Sequence, residues 1–470
     1  MVQPGKETIL NPALDEVQQR ICDVICDVID NYDVDGVVFD DYFYSNPTPL
    51  ELDADLYNAA KAADPTIGTQ KEWRVANVNN MVRRVSEVIK EHRPWMPFGI
   101  SPAGVASPPH VTSVYGLEPN PAGSDWQYSS IASDPLNWYM NGYVDFMSPQ
   151  IYWPNQFDAH QEWWNKAARK FGRHLYSSVS LSSFSSYGGS EFSREVESAR
   201  AIQAPNESGL VFFRMANYVN ASVKYEGQTM SFTKYMGLTA YSTPALTPLR
   251  PWNNVYAPAN VTGLRRDGST LTWDAVEGMR YTVYAFADGE EQRPFNSNLQ
   301  QVVYTNSYQI PEGMEGMVYG VAVYDRYGNE YSMSTEGATL GEAVKAELVY
   351  PGNGERAADL FDFEWKETGA DNILEVAESA DFANPLVTIP CSGTKMTSYA
   401  VPQLEEGKTY YWRVRTHGVN APAGVSETRS FVASRIAVNG PVGNDESTTP
   451  TISYTPAYDG SIYKIEISRN

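Results

Sequence analysis

Val34-Asp35-Gly36-Val37-Val38-Phe39-Asp40-Asp41-Tyr42-Phe43-Tyr44 decides how the chain is read. Asp35-Gly36 opens the stretch. Val37, Val38 and Phe39 make a short apolar run, and Asp40-Asp41 close it ahead of three aromatic residues. A helix stands just before it, because Val17, Ile21, Val24, Ile25, Val28 and Ile29 recur at helical spacing. Asn11-Pro12 reads as the start of that helix, with Asn as N-cap and Pro as first helical residue. A β-branched run this short, behind an amphipathic helix, predicts a parallel strand covered on both faces. In a β/α barrel the end of such a strand faces the site. Asp40 and Asp41 are therefore the first residues to test for chemistry.

Working outward, strand and helix alternate. Thr69 and Glu72 suit a capping box, and Trp73, Val78, Met81, Val82, Val85, Val88 and Ile89 give the buried stripe of a helix over 69–92 that Pro94 stops. Pro97–Pro102 is the next strand, followed by a long loop rich in Pro, Gly and Ser. A short helix (135–140), a strand through Val144–Trp153, a helix (158–171), a strand (174–181), a helix (193–202) and a last strand (209–217) complete the series. This regular alternation predicts a parallel sheet with helical crossovers.

From about residue 255 the period changes from helical to alternating. Thr270–Trp273, Tyr281–Phe286 and Tyr319–Asp325 read as antiparallel strands of one β-sandwich over 255–343. Tyr410-Tyr411-Trp412-Arg413-Val414-Arg415 belongs to a second over 344–434, and both resemble fibronectin type III modules. Residues 435–470 read as the truncated start of a third, since Thr451–Tyr454 and Tyr463–Ser468 repeat Phe361–Trp365 and Ile373–Ser379. A half sandwich leaves an open edge, so the sequence is expected to be cut there.

Composition narrows the partners. Lys and Arg number 35 against 57 Asp and Glu, a net charge of −22, which argues against a nucleic-acid partner. The 31 Tyr and 11 Trp are common in carbohydrate-active proteins, and equally in all-β proteins. Three cysteines do not make a disulfide scaffold. Cys22 and Cys26 stand four apart on the first helix and read as small core-facing residues, because no His lies near them in sequence. The histidines at 92, 110, 160, 174 and 417 have no metal-ligand spacing, so no metal and no cofactor is expected. No apolar run is long enough to span a membrane, and residues 1–6 carry no apolar signal core.

Five motifs in order carry a family resemblance: Leu10-Asn11-Pro12, Tyr32–Gly36 with Phe39–Tyr44, Trp73–Asn79, Phe98–Pro102 and Asp145–Trp153. Over about residues 7–245 the chain resembles the bacterial glycosyl-hydrolase-like family ten proteins. The resemblance implies a (β/α)8-type barrel, glycoside hydrolysis, and export to the periplasm, outer membrane or cell surface, some members being lipoproteins. It also implies that the Asp40 motif belongs to about the fourth barrel strand. Five strand–helix units are expected over residues 1–250, so the first strands and the export signal are expected to lie outside this chain.

Glycoside cleavage uses two carboxylates whose spacing sets the stereochemical outcome. Asp40 is the first catalytic candidate and Asp41 the second, although neighbouring strand residues point to opposite faces. Loop acids Glu51, Asp53, Asp55, Glu118 and Asp125 are open as partners. Asp145 opens its strand and is expected at the structural end. Tyr42, Tyr44, Trp126, Gln150, Tyr152 and Trp153 are candidates to meet sugar rings and hydroxyls. Arg214 is a candidate for an anionic substituent, or for an ion pair. The expected function is hydrolysis of a cell-wall or cell-surface glycan by a monomer. The alternatives are a non-catalytic carbohydrate binder and a structural surface protein.

Overall fold

The first helix begins a turn later than Asn11-Pro12 predicts. In a computed structural model, which describes residues 9–40, 42–181, 188–203, 209–253, 255–358, 360–401, 404–434, 437–440 and 453–455, α1 spans Asp15–Asn31. Asn11 turns the chain instead: its Oδ1 accepts from the Ala13 N–H at 3.0 Å. A short polar side chain that bonds its own backbone two residues on favours a turn over a helix. The helix over 69–92 has the expected start. In α3 (Gln70–His92), which follows α2 (Ala54–Ala63), Thr69 and Glu72 form the reciprocal capping box.

The chain divides into two units, Met1–Thr243 and Pro244–Asn470. In the first, β1 (Val37–Asp40), β2 (Phe98–Ser101), β3 (Phe146–Met147) and β4 (His174–Leu175) pair in parallel in sequence order. β5 (Ser178–Ser180) pairs in parallel with β6 (Val211–Phe213). Gln150 bridges in parallel to both Ala103 and Ser178, joining the two pieces. The expected 174–181 strand is thus present but changes neighbour. His174, Tyr176 and Ser178 donate in turn to the Asp145, Met147 and Pro149 carbonyls.

Register places Val37, Phe39, Phe98, Ile100, Met147 and Leu175 on one face. That face packs into the core with Val78, Val82, Val85 and Ile89 of α3 and Trp138 and Tyr139 of α6 (Pro135–Met140). Gly99 lies on the other face, where an added Cβ would come within 2.3 Å of the Phe146 ring, so only glycine lets the two strands pair. The prediction that β1 is covered on both faces is corrected: Val38, beside Gly99, is 59% exposed. Only the helix-side face of β1 has a layer against it among the described residues.

The long loop after β2 is not structureless. It holds α4 (Val111–Tyr115) and α5 (Trp126–Ile131). α7 (Phe157–Lys170) buries Trp163 and Trp164, as its packing stripe requires. After β6 come two short helices, Met215–Asn220 and Phe232–Leu238, around a hairpin, Ser222–Tyr225 with Gln228–Ser231.

Among its described residues the second unit contains two large apolar cores and a smaller cluster of Tyr284, Phe286, Leu299, Ala322 and Met333. Around the first stand a three-stranded sheet (265–267, 270–272, 307–309) and a four-stranded one (280–286, 299–303, 318–324, 330–335). Around the second stand sheets built on Asp362–Trp365 and on the long strand Thr409–His417. Trp273, Trp365 and Trp412 are buried in these cores. Beyond them Ala437–Gly440 pairs antiparallel with Ser453–Thr455. The expected 463–468 strand lies outside the described residues.

Candidate active site

Asp40 is the last residue of β1, beside Ser101 of β2, and its side chain is exposed. Gln150, whose backbone joins the two parts of the sheet, donates from Nε2 to Asp40 Oδ1 at 2.9 Å and to the Ser101 carbonyl at 3.2 Å. One carboxamide thus ties together the ends of three strands and fixes one carboxylate oxygen. Ser101 donates from Oγ to the Ser148 carbonyl at 2.8 Å and closes the same edge. Asp41 lies outside the described residues.

Aromatic rings flank this point. Tyr42 is 59% exposed and meets Trp126 of α5 edge-on, with centroids 6.1 Å apart. Tyr152 stacks on Phe213 at the end of β6, at 5.8 Å and 26°. Trp153 is half-exposed and packs on the buried His160 ring at 5.4 Å. Gly104 makes this possible, since a Cβ there would lie 2.8 Å from the Gln150 carbonyl and 3.1 Å from the Trp153 ring. Arg214, just past β6, is exposed.

Two sequence candidates have other tasks. Tyr44 is fully buried; its hydroxyl donates to Asn11 Oδ1 at 3.4 Å and the Arg74 guanidinium lies over its ring at 4.9 Å. Burial, then the nearby Asp53, raises its phenol far above the usual range. A ring without accessible surface cannot stack on a sugar, so Tyr44 leaves the binding set. Asp53 is equally committed: Arg74 grips it from Nε at 2.9 Å and Nη2 at 2.5 Å, and donates to the Thr48 and Pro49 carbonyls at 2.8 Å. Glu51, Glu118 and Asp125 are exposed, as is Asp55, which the structure places in the first turn of α2 and not in a loop. Asp145 sits at the structural end as expected, its carboxylate accepting from the Phe98 N–H at 2.9 Å.

Sequence reasoning missed a second polar group, in the loop between β2 and β3. The buried Asp134 accepts from the Tyr115 hydroxyl at 2.7 Å and lies 3.7 Å from His110 Nε2. The Tyr115 and Tyr128 rings each stand 5.3 Å from the imidazole. Its contact with Asp134 holds the His110 imidazolium above its ordinary range, against the opposing effect of burial. Asp134 caps α6, the short helix expected over 135–140. His110 lies far from it in sequence, and nothing local couples the two.

A parallel sheet with a carboxylate and aromatic rings at its strand ends presents them where α/β folds carry their sites. Residues 2–187 match the family described as Glycosyl hydrolase-like 10, which bears out the resemblance carried by the five motifs. Two curated relatives are similar. Glycosyl hydrolase DigH of Escherichia coli (strain K12) is 31% identical over 187 residues, covering 38% of this chain and 40% of that protein. Glycosyl hydrolase YngK of Bacillus subtilis (strain 168) is 27% identical over 265 residues, covering 54% of this chain and 50% of that protein. The chain thus spans about half the length of these relatives, or less. Among solved structures, the endo-beta-1,4-mannanase from Thermotoga petrophila aligns at 9% identity over 77% of this chain and 62% of that one, with a TM-score of 0.23. The chicken CNTN1 FN1-FN3 domains align at 14% identity over 38% of this chain and 67% of that one, with a TM-score of 0.16.

Proposed function

We propose that the N-terminal unit is a glycoside hydrolase domain that cleaves O-glycosidic bonds of a cell-wall or cell-surface polysaccharide, in an exported protein whose sandwich modules are fibronectin type III-like spacers. The observation that carries this reading is the Asp40 carboxylate, presented at a strand end and oriented by Gln150 at 2.9 Å. The amide orients the carboxylate, and a carboxylate at a strand end is the group that acts on the anomeric carbon or the leaving oxygen in glycoside cleavage. Tyr42, Trp126, Tyr152 and Trp153 supply ring faces for pyranose units, and Arg214 supplies a cation for a uronic or lactyl carboxylate. The family match over residues 2–187 supports the same reaction class.

Asp40→Asn keeps the shape and removes the charge. Assayed on cell-wall glycan, this variant is expected to lose turnover by about 10²- to 10⁴-fold while still retaining the polymer. Unchanged turnover would remove Asp40 from the mechanism. A second reading is carbohydrate binding without cleavage, favoured by the exposed rings of Tyr42 and Trp153 beside the strand ends. On that reading the native chain retains glycan without cutting it, and Asp40→Asn weakens retention.

A further inference from the structure

Cys26 does not stand alone. Its Sγ lies 3.6 Å from His92 Nε2, across the seam between α1 and α3. His92 Nδ1 lies 3.0 and 3.1 Å from the two Asp30 oxygens. The carboxylate fixes the tautomer: Nδ1–H donates to Asp30, and Nε2 is left to accept from the thiol. Thiol, imidazole and carboxylate stand in the order of nucleophile, base and orienting acid. We propose that Cys26 is a modification site, a base-assisted thiol that exchanges with small disulfides at the surface.

The step balances. Cys26 Sγ attacks one sulfur of the disulfide as its proton passes to His92 Nε2. The S–S bond breaks, a new one joins Cys26 to the attacked sulfur, and the departing sulfur recovers the proton as a thiol. Cys26 is oxidised, and the departing sulfur is reduced.

The surroundings explain why a base is required. Cys22, Asp23 and Asp30 face Cys26 from its own helix, and Glu91 and His92 from α3; Arg93, just past α3, donates to the Ile29 carbonyl. Burial first, then Asp30, Asp23 and Glu91, push the Cys26 thiol above its ordinary range. It is protonated at neutral pH, and reaction waits on proton removal. Cys22 cannot serve as an internal partner. Residues four apart on a helix hold their Cβ atoms ~5–6 Å apart, whereas a disulfide needs roughly 3.5–4.5 Å. Cys22 is also buried, as is Cys391.

The test uses the full chain and dithiobis-nitrobenzoate, an aromatic disulfide whose released thiol ionises at neutral pH to a coloured thiolate. One thiol reacts rapidly in the native protein, and Cys26→Ser abolishes that phase. His92→Gln slows it on the order of ten-fold at neutral pH. The gap between the native protein and His92→Gln closes at high pH, where the thiol ionises without a base beside it. Asp30→Asn falls between. Should His92→Gln disturb the fold, all three cysteines react and Asp30→Asn becomes the decisive variant. A fast phase that survives Cys26→Ser overturns the proposal. So does a native rate retained in both Asp30→Asn and His92→Gln.

Discussion

Asp53 shows how a residue's neighbours decide its task. It lies in a loop among other acids, yet its side chain is fully buried and bonded to an arginine that is itself only 6% exposed. Removing one partner of such a pair leaves an uncompensated charge, which costs about 3–5 kcal/mol. Asp53→Ala is therefore expected to lower the melting temperature of the first unit strongly and to free Tyr44, with which Arg74 packs. A melting temperature within a degree of the native one would contradict this. Nothing at Asp53 itself distinguished it from Glu51 or Asp55, because Arg74 stands 21 residues away. Asp40 and Gln150 were both legible, since each follows an apolar run. Their bond was not, because it joins positions 110 apart in the chain. Trp153 was legible as an aromatic past a strand, but the imidazole beneath it was not.

At the scale of the element, the helix Gly189–Gln203 carries the odd group. Glu195 is 1% exposed and its Oε2 has no hydrogen-bond partner. Burial, then the charge of Glu191, lift its carboxyl from 4.5 to about 8. A carboxyl raised by folding favours the folded state below its unfolded value, and that contribution is lost as pH rises through the folded one. The first unit should accordingly lose stability between pH 4.5 and about 8. Glu195→Gln is expected to flatten that slope and to raise the melting temperature at alkaline pH by about 5 °C. An unchanged slope by circular dichroism would place the titration elsewhere. Elements with a long periodic stripe and a cap were legible, α3 most of all. The short helices α4 and α5 were not, because five or six residues hold too little periodicity to stand out from a polar loop. The exposed face of β1 was hidden for another reason: an apolar run does not say whether a second layer exists to cover it.

At the scale of the second unit, the two sandwich cores are joined by backbone. Met333 donates to the Gly418 carbonyl at 3.1 Å, and Asn420 donates to the Met333 carbonyl at 2.8 Å. Asn420 also accepts from the Thr335 N–H at 2.8 Å and donates to Thr335 Oγ1 at 2.9 Å. Nearby, Tyr256 shares a 3.0 Å hydrogen bond with His417 and lies under the Arg415 guanidinium at 3.9 Å. The alternating strands were legible, but this seam links residues 85 apart and leaves no local signature. Asn420→Ala removes two side-chain bonds and should cost about 1–3 kcal/mol. Hydrogen exchange checks it: the amides of Met333 and Asn420 are expected to exchange as slowly as core strands in the native chain, and faster in the variant. Fast exchange at both in the native chain would mean that the seam opens freely.

Modules strung on flexible linkers keep their ends within reach of one another but at no set distance. The Met333–Asn420 seam removes that freedom between these two. Whatever is bound at one end of the pair is held at a set spacing and rotation from whatever is bound at the other, so the pair works as a ruler and not as a tether.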